Sequence, residues 1–96
     1  MKIIWSKKAK YNFDQIQNYL EQSWSPFVTQ KFVNDVLNVL VLLENNPLLG
    51  KYNPKLKCRS IVISKNITLY YELTHHYIEL ITFYNSRQKP IDLTNL

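Results

Sequence analysis

The sequence is poor in the residues that define several common classes of small protein. It contains a single cysteine, Cys58, and a single glycine, Gly50. One cysteine excludes a disulfide framework and a metal site built from several cysteines. One glycine excludes a collagen-like repeat or a glycine/serine linker, and an apolar share of 46% excludes a disordered tail. A length of 96 residues therefore predicts one globular domain, residues 1–96.

Long apolar runs are also missing. The longest candidate, Val36 to Leu43, is interrupted by Asn38 and falls short of the roughly 18–20 residues that span a bilayer. At the start of the chain, Met1 to Trp5 is followed by a serine and two lysines, which leaves no apolar region of a signal peptide. We therefore predict a cytoplasmic protein without a membrane segment.

Acidic residues are fewer than basic ones, and the bases are unevenly placed. There are 12 lysines and arginines against 7 aspartates and glutamates, a formal net charge of +5. One group of bases lies in residues 1–10, and the second contains Lys51, Lys55, Lys57, Arg59 and Lys65. Such a group favours an anionic partner, which is RNA, DNA or an acidic protein segment. A merely solubilising surface explains the same charge, so charge alone does not decide.

Two helices are predicted in the first half of the chain. The first has Ser6 at a suitable N-cap position and an apolar stripe at helical spacing, formed by Ala9, Phe13, Ile16 and Leu20. Ser25-Pro26 is typical of the start of a second helix, and Asn45-Asn46-Pro47 of its end. Because only a few residues separate the two helices, they are expected to form an antiparallel hairpin.

Strands are predicted on both sides of this hairpin. Residues 2–5 (KIIW) favour a short strand, and three segments with alternating polarity follow at residues 58–64, 67–73 and 77–84. Residues 48–57, between the helices and these segments, are predicted to be a loop. The short turns between the last three strands favour an antiparallel meander.

The predicted fold class is therefore α+β, with an antiparallel sheet that carries a helical hairpin on one face. The element order is β-α-α-β-β-β. On the strand at residues 58–64, strict alternation places Arg59 on the same face as Ile61 and Ile63. The simplest interpretation of Arg59 itself is a solvent-facing strand residue. The tail, residues 88–96, is predicted to be loose or briefly helical.

This order of elements and several short motifs resemble the RelE/ParE superfamily of toxins from type II toxin–antitoxin systems. The likeness covers nearly the whole chain. It includes the opening IIWSKKAKYNFDQIQNYL, the segment NNPLLGKYNP, the strand CRSIVIS with its early arginine, and the paired patterns NITLYYEL and YIELITFYNSRQKP. No one of these motifs is specific by itself, but their order and spacing together are.

The resemblance implies a small toxin that a cognate antitoxin holds inactive, with the two chains forming a hetero-oligomer. In this superfamily an acidic, otherwise disordered segment of the antitoxin folds on the toxin. RelE-like members cleave mRNA in the ribosomal A site, whereas ParE-like members inhibit DNA gyrase by protein–protein contact. The expected partners are thus an antitoxin and either DNA gyrase or the ribosome with its mRNA, with no membrane, metal or cofactor.

The RelE-like reaction sets chemical requirements that can be compared with the residues present. The 2′-hydroxyl must lose a proton, the phosphorane charge must be stabilised, and the leaving oxygen must gain a proton. The resemblance points to Arg59 and Arg87 as charge-stabilising residues and to Tyr84 as the aromatic hydroxyl. Lys55 and Lys57 fit the spacing of a lysine pair in RelE-like enzymes.

The position of Tyr84 favours the ParE-like branch. In the RelE-like pattern the tyrosine follows the arginine, but Tyr84 precedes Arg87, and no aromatic residue, histidine or glutamate follows it. The sequence therefore predicts inhibition of gyrase by contact, with the endoribonuclease as the alternative. In either case the residues expected to bind the antitoxin or nucleic acid are Lys51, Lys55, Lys57, Arg59, Arg87 and Lys89.

Other polar residues have simpler interpretations. His75 and His76 are adjacent in a predicted hairpin turn and are expected to be exposed. Cys58 is interpreted as a small strand residue, because no histidine is predictably placed beside it. Glu72 and Glu79, on neighbouring strands, lack the context of a paired-carboxylate site.

Overall fold

The computed structural model describes residues 1–87, so the predicted loose tail lies outside the described residues. The elements in chain order are β1 (Lys2–Trp5), α1 (Lys7–Ser23), α2 (Pro26–Asn45), β2 (Lys51–Asn53), β3 (Cys58–Ser64), β4 (Ile67–Leu73) and β5 (Tyr77–Asn85). The predicted α+β class is confirmed: the two helices lie against an open, five-stranded sheet.

Both helices begin where the sequence predicts. The Ser6 hydroxyl accepts a hydrogen bond from the Ala9 amide at 3.0 Å and donates one to the Ile81 carbonyl at 2.9 Å. The Ser25 hydroxyl accepts a hydrogen bond from the Val28 amide at 3.2 Å. Each cap satisfies an amide that has no partner inside the helix. The Ser6 cap also fixes the start of α1 to the sheet.

The sheet differs from the predicted antiparallel meander in two details. Its strand order is β1-β5-β4-β3-β2, and β1 pairs with β5 in parallel, so the sheet is mixed. The predicted loop at residues 48–57 contains β2, which pairs with the start of β3. β2 has only three residues, all exposed, and therefore shows no alternation of polarity that would identify it as a strand.

The core lies between the helices and one face of the sheet. Its fully buried side chains include Ile16 and Val36 from the helices and Leu69, Tyr71 and Leu80 from the strands. Trp5, Phe13 and Phe83 form an aromatic cluster, with ring centroids 5.2–5.8 Å apart.

A bulge in β5 changes the predicted alternation of that strand. Tyr70 pairs with Thr82, but the next residue of β4, Tyr71, pairs with Leu80, so Ile81 is the extra residue. Beyond a bulge the side chains exchange faces. Phe83 consequently lies opposite Leu69 and packs in the core, although strict alternation places it with Glu79.

α2 forms part of this core although it is long and apolar enough, by length and composition alone, to cross a membrane. One side of the helix is buried against the sheet by Thr29, Phe32, Val36, Leu40 and Leu43. The other side remains exposed, with Leu37 at 52% and Val41 at 58% exposure.

The segment after α2 is fixed to the sheet by one buried hydroxyl. Tyr71 donates a hydrogen bond to the Pro47 carbonyl at 2.9 Å and accepts one from the Gly50 amide at 2.8 Å. Burial raises the pKa of Tyr71, while the Gly50 amide and the nearby Arg59 charge act in the opposite direction. The hydroxyl is therefore a neutral donor and acceptor at physiological pH.

Tyr71→Phe is expected to lower the free energy of unfolding by about 1–3 kcal/mol, because the buried Gly50 amide and the Pro47 carbonyl lose a partner. Urea unfolding followed by circular dichroism measures the change. Tyr11→Phe is the matched control, since its hydroxyl lies on the exposed side of α1 and accepts only from Gln15. Equal stabilities of the two variants would contradict the assigned role of Tyr71.

Candidate functional site

A groove of about 300 Å³ lies where the helical hairpin meets one end of the sheet. The segments that line it are the end of α1, the first half of α2, the β3–β4 turn and the end of β5. We call it the end groove; its lining residues include Leu20, Trp24, Val28, Lys31, Phe32, Asp35, Lys65, Ile67, Asn85 and Arg87. Its floor is apolar, whereas its charged residues lie around the rim.

Trp24 and Arg87 form one side of the end groove. The guanidinium carbon of Arg87 lies 5.5 Å from the centroid of the Trp24 ring, a cation–π contact. Trp24 caps α1, with its amide donating to the Leu20 carbonyl at 2.9 Å. The Arg87 amide donates to the Asn85 side-chain oxygen at 3.0 Å, which holds the chain just after β5.

The rim of the end groove is positive. It carries three cations, Lys31, Lys65 and Arg87, and one carboxylate, Asp35. Lys31 forms an ion pair with Asp35, with 2.9 Å between nitrogen and oxygen. The remaining two cations, Lys65 and Arg87, belong to neighbouring segments at one end of the sheet, because the Ser86 amide donates to the Asn66 carbonyl at 2.9 Å. Together with the apolar lining they suit a peptide with an apolar anchor and acidic neighbours.

Arg59 lies at the other end of the sheet and is engaged by its own chain. Its guanidinium donates to the Gly50 carbonyl at 2.8 Å, and its carbon lies 5.6 Å from the Tyr52 ring centroid. Its strand partner is the buried Tyr71, so Arg59 lies on the helix-covered face. Arg59 shares this face with Ile61 and Ile63, as strict alternation predicts. It is half-buried there, so the simplest interpretation of Arg59 as a solvent-facing residue does not hold.

The structure does not bring Arg59, Tyr84 and Arg87 together. Arg59 is level with Leu80 across the sheet, and the five residue steps from Leu80 to Asn85 alone span about 17 Å. Tyr84 pairs with Thr68 and lies on the face opposite Arg59, because the bulge places Phe83 in the core. The proposed charge-stabilising residues are thus separated by most of the sheet length.

The lysines before β3 are exposed around β2 and the turn that follows. The side-chain oxygen of Asn53 accepts from the amides of Lys55 and Leu56, at 2.9 and 3.1 Å. Lys57 has a φ of 56°, a left-handed conformation that a lysine rarely adopts. Lys51 and Lys57 lie near Arg59 rather than near Arg87. Lys89, the remaining predicted binding residue, lies outside the described residues.

The helix-free face of the sheet carries Cys58, Tyr70, Glu72 and Tyr84. Burial raises the pKa of the Cys58 thiol, and the nearby Glu72 carboxylate raises it further. Burial is also the main cause of the raised pKa of Tyr70. The Cys58 thiol and the Tyr70 hydroxyl are therefore protonated at neutral pH, and neither is activated as a nucleophile or base. Glu72 lies directly opposite Glu79 in the register.

His75 and His76 are exposed in the β4–β5 turn, with ring centroids 6.4 Å apart. Within residues 1–87, no group of three or more His, Cys, Asp or Glu side chains is placed to hold a metal ion. Among the described residues, the end groove combines a mostly apolar lining with charged residues and is therefore taken as the candidate binding site.

Three groove residues, Trp24, Lys31 and Lys65, are missing from the residues predicted to bind. They come from three separate segments, and nothing in the local sequence connects them. The only available signals are that Lys31 is the sole base in α2 and that Trp24 is a large aromatic residue in the short link between the helices.

The sequence matches one toxin-family model over residues 3–90, which is the model of the ParE toxin of type II toxin–antitoxin systems, parDE. Fold and match together define a toxin of the RelE/ParE superfamily, and the predicted resemblance is confirmed. Within it, the chain belongs to the ParE toxin family. A search among curated proteins gives no match.

Solved structures show the same fold. The chromosomal ParDE TA system from P. aeruginosa matches with a TM-score of 0.73 at 17% identity, over 88% of this chain and 95% of the other. A YoeB/ParE toxin from Agrobacterium tumefaciens has a TM-score of 0.67 at 12% identity, over 88% and 98%. The YoeB dimer from Staphylococcus aureus has a TM-score of 0.60 at 20% identity, over 88% and 94%.

Proposed function

We propose that this type II toxin inhibits DNA gyrase by protein–protein contact, in the cytoplasm, and that an acidic segment of its antitoxin binds the end groove. The separation of Arg59 from Arg87 is the observation that favours gyrase over RNA cleavage. A metal-free nuclease needs its charge-stabilising and proton-transferring groups around one phosphate. Here the Arg59 guanidinium donates a hydrogen bond to the Gly50 carbonyl on the helix-covered face of the sheet, while Tyr84 lies on the opposite face.

The end groove supports the antitoxin part of the proposal. An acidic segment that folds on binding needs an apolar floor for its anchors and cations for its carboxylates. Trp24 and Phe32 supply apolar area, and Lys65 and Arg87 supply positive charge. The basic residues around β2 lack a comparable apolar floor, since the cavity beside Lys57 and Arg59 is lined mainly by polar groups.

The RelE-like endoribonuclease is the second candidate. It is favoured by the group of bases at the start of β3, in which Lys57 and Arg59 line one cavity with Tyr52. In that reaction Lys55, Lys57 and Arg59 would stabilise the phosphate charge, and the acid and base would come from residues that the resemblance does not identify here.

Two assays on the antitoxin-free toxin separate the candidates. With purified gyrase and supercoiled DNA, we expect gyrase-dependent DNA breaks that disappear when antitoxin is added. With ribosomes programmed with mRNA, we expect intact mRNA. Omission of gyrase is the control for contaminating nucleases. Cleaved mRNA together with unbroken DNA would overturn the gyrase proposal and establish the second candidate.

A further inference from the structure

The link between the two helices exposes two aromatic side chains, Trp24 and Phe27. Trp24 is 55% exposed, and Phe27, the second residue of α2, is 78% exposed. Within residues 1–87 no other large apolar side chain is as exposed as Phe27. We call residues 24–27 (WSPF) the hairpin tip. Because aromatic residues are enriched in protein–protein interfaces, two exposed rings so close in the chain mark an interaction surface.

The backbone of the hairpin tip is fixed by its own hydrogen bonds. The Ser25 hydroxyl accepts from the Val28 amide at 3.2 Å, and the Thr29 hydroxyl donates to the Ser25 carbonyl at 3.1 Å. Pro26 occupies the first position of α2, where its ring restricts φ. Phe27 is therefore held in place before any partner binds, which reduces the entropy lost on binding.

The exposure of Phe27 favours a folded partner over the antitoxin segment. Phe27 is not among the residues that line the end groove, and most of its surface is in contact with solvent. A disordered segment that folds on the toxin needs a groove in which to lie. A protruding ring instead needs a pocket in its partner, and a pocket of this kind belongs to a protein that is already folded.

The charge near the hairpin tip does not suit nucleic acid. Residues 22–34 contain no acid and one base, Lys31, which is paired with Asp35 at 2.9 Å. Arg87 stacks on the ring of Trp24. These two cations neutralise too few phosphates for stable binding to DNA or RNA. An apolar pocket with a neutral or mildly acidic rim fits the hairpin tip better, because the N-terminal end of α2 also carries partial positive charge.

The hairpin tip and the end groove share one residue. Trp24 belongs to the tip and also lines the groove, and Val28, the neighbour of Phe27, lines it too. An antitoxin segment in the end groove therefore covers Trp24 and lies directly beside Phe27. A folded protein that receives Phe27 in a pocket would meet the bound antitoxin at the same place.

We propose that the hairpin tip is the surface through which this toxin binds DNA gyrase, with Phe27 inserted into an apolar pocket of the enzyme. Antitoxin in the end groove then excludes gyrase by covering Trp24. This inference rests on the proposed inhibition of gyrase by contact. It adds the side chain that makes the contact and a steric reason for neutralisation.

Surface plasmon resonance with immobilised gyrase and antitoxin-free toxin tests the proposal. Phe27→Ala is expected to weaken binding to gyrase by about 30-fold, the effect of truncating a central interface residue, and to change antitoxin binding by less than about threefold. Trp24→Ala should weaken binding to both partners. Tyr11→Ala is the matched control: it removes a ring that is 60% exposed on α1 and should leave both affinities unchanged. Circular dichroism verifies that the variants are folded.

The outcomes separate this inference from the proposed function. If the unmodified toxin and Phe27→Ala bind gyrase equally well, the inference is overturned and inhibition of gyrase stands. If the unmodified toxin does not bind gyrase, both are overturned. Gyrase binding by the preformed toxin–antitoxin complex, as tight as by the free toxin, would overturn steric exclusion. Binding to duplex DNA alone or to phosphatidylcholine vesicles that Phe27→Ala abolishes would assign the hairpin tip to that partner instead.

Discussion

Gly50→Ala is expected to destabilise the fold by about 3–5 kcal/mol, which combines the cost of overpacking with the loss of buried hydrogen bonds. A β-carbon at this position would lie 2.7 Å from the Tyr71 hydroxyl and ring edge and 2.9 Å from the Ser60 carbonyl. Tyr71 is completely buried, so it has no space to move away. The backbone of Gly50 itself is not left-handed; glycine is required by lack of space.

Chemical unfolding measured by circular dichroism checks this prediction. Leu49→Ala is the matched control, because it changes the neighbouring side chain, which is exposed, and should alter stability by no more than about 0.5 kcal/mol. A Gly50→Ala variant as stable as Leu49→Ala would show that the Tyr71 contact is not a fixed part of the fold.

The Gly50 contact gives a physical reason for part of the sequence resemblance. The segment NNPLLGKYNP follows the end of α2. Its Pro47 carbonyl accepts a hydrogen bond from the Tyr71 hydroxyl, and its Gly50 packs against the ring of Tyr71. Arg59 then closes the segment by donating to the Gly50 carbonyl. Gly50, Arg59 and Tyr71 are thus connected by hydrogen bonds that fix the segment after α2 to the sheet. Arg59, the arginine of CRSIVIS, therefore has a structural role in addition to any functional one.

The elements with a strong local signal were predictable from sequence. β3 and β4 have the predicted bounds, and both helices start at their predicted caps. The parallel pairing of β1 with β5 was not predictable, since it joins residues about 75 positions apart. The bulge at Ile81 was equally hidden, because a bulge depends on the partner strand and not on the residues of β5 alone.

The candidate site was less predictable than the fold. Arg87 was singled out, but its neighbours Trp24, Lys31 and Lys65 come from other elements, and only the fold brings them together. For Arg59 the sequence held a usable signal. In a regular strand it lies on the same face as Ile61 and Ile63, and two apolar residues on one face indicate that this face is buried. Arg59 and Arg87 were given a common role because both are arginines. In the structure, however, they lie at opposite ends of the sheet.

Arg87→Glu is expected to weaken antitoxin binding by about 5- to 50-fold, because it reverses an exposed charge and removes a cation–π contact, which together are worth about 1–2 kcal/mol. Arg87 stacks on Trp24 at the rim of the end groove, so the substitution removes a cation, adds a carboxylate and removes the cation–π contact. Isothermal titration calorimetry with the cognate antitoxin measures the dissociation constant. Binding should also weaken as salt is added, because exposed charge pairs are screened.

Lys57→Glu is the matched control, because it makes the same change of charge at the other end of the sheet. If the antitoxin binds the end groove, this variant should change the dissociation constant by less than about threefold, through long-range electrostatics alone. Trp24→Ala separates charge from apolar contact, since it leaves Arg87 in place and should still weaken binding. A large loss for Lys57→Glu with little effect of Arg87→Glu would place the antitoxin on the bases around β2 and remove the end groove from the proposal.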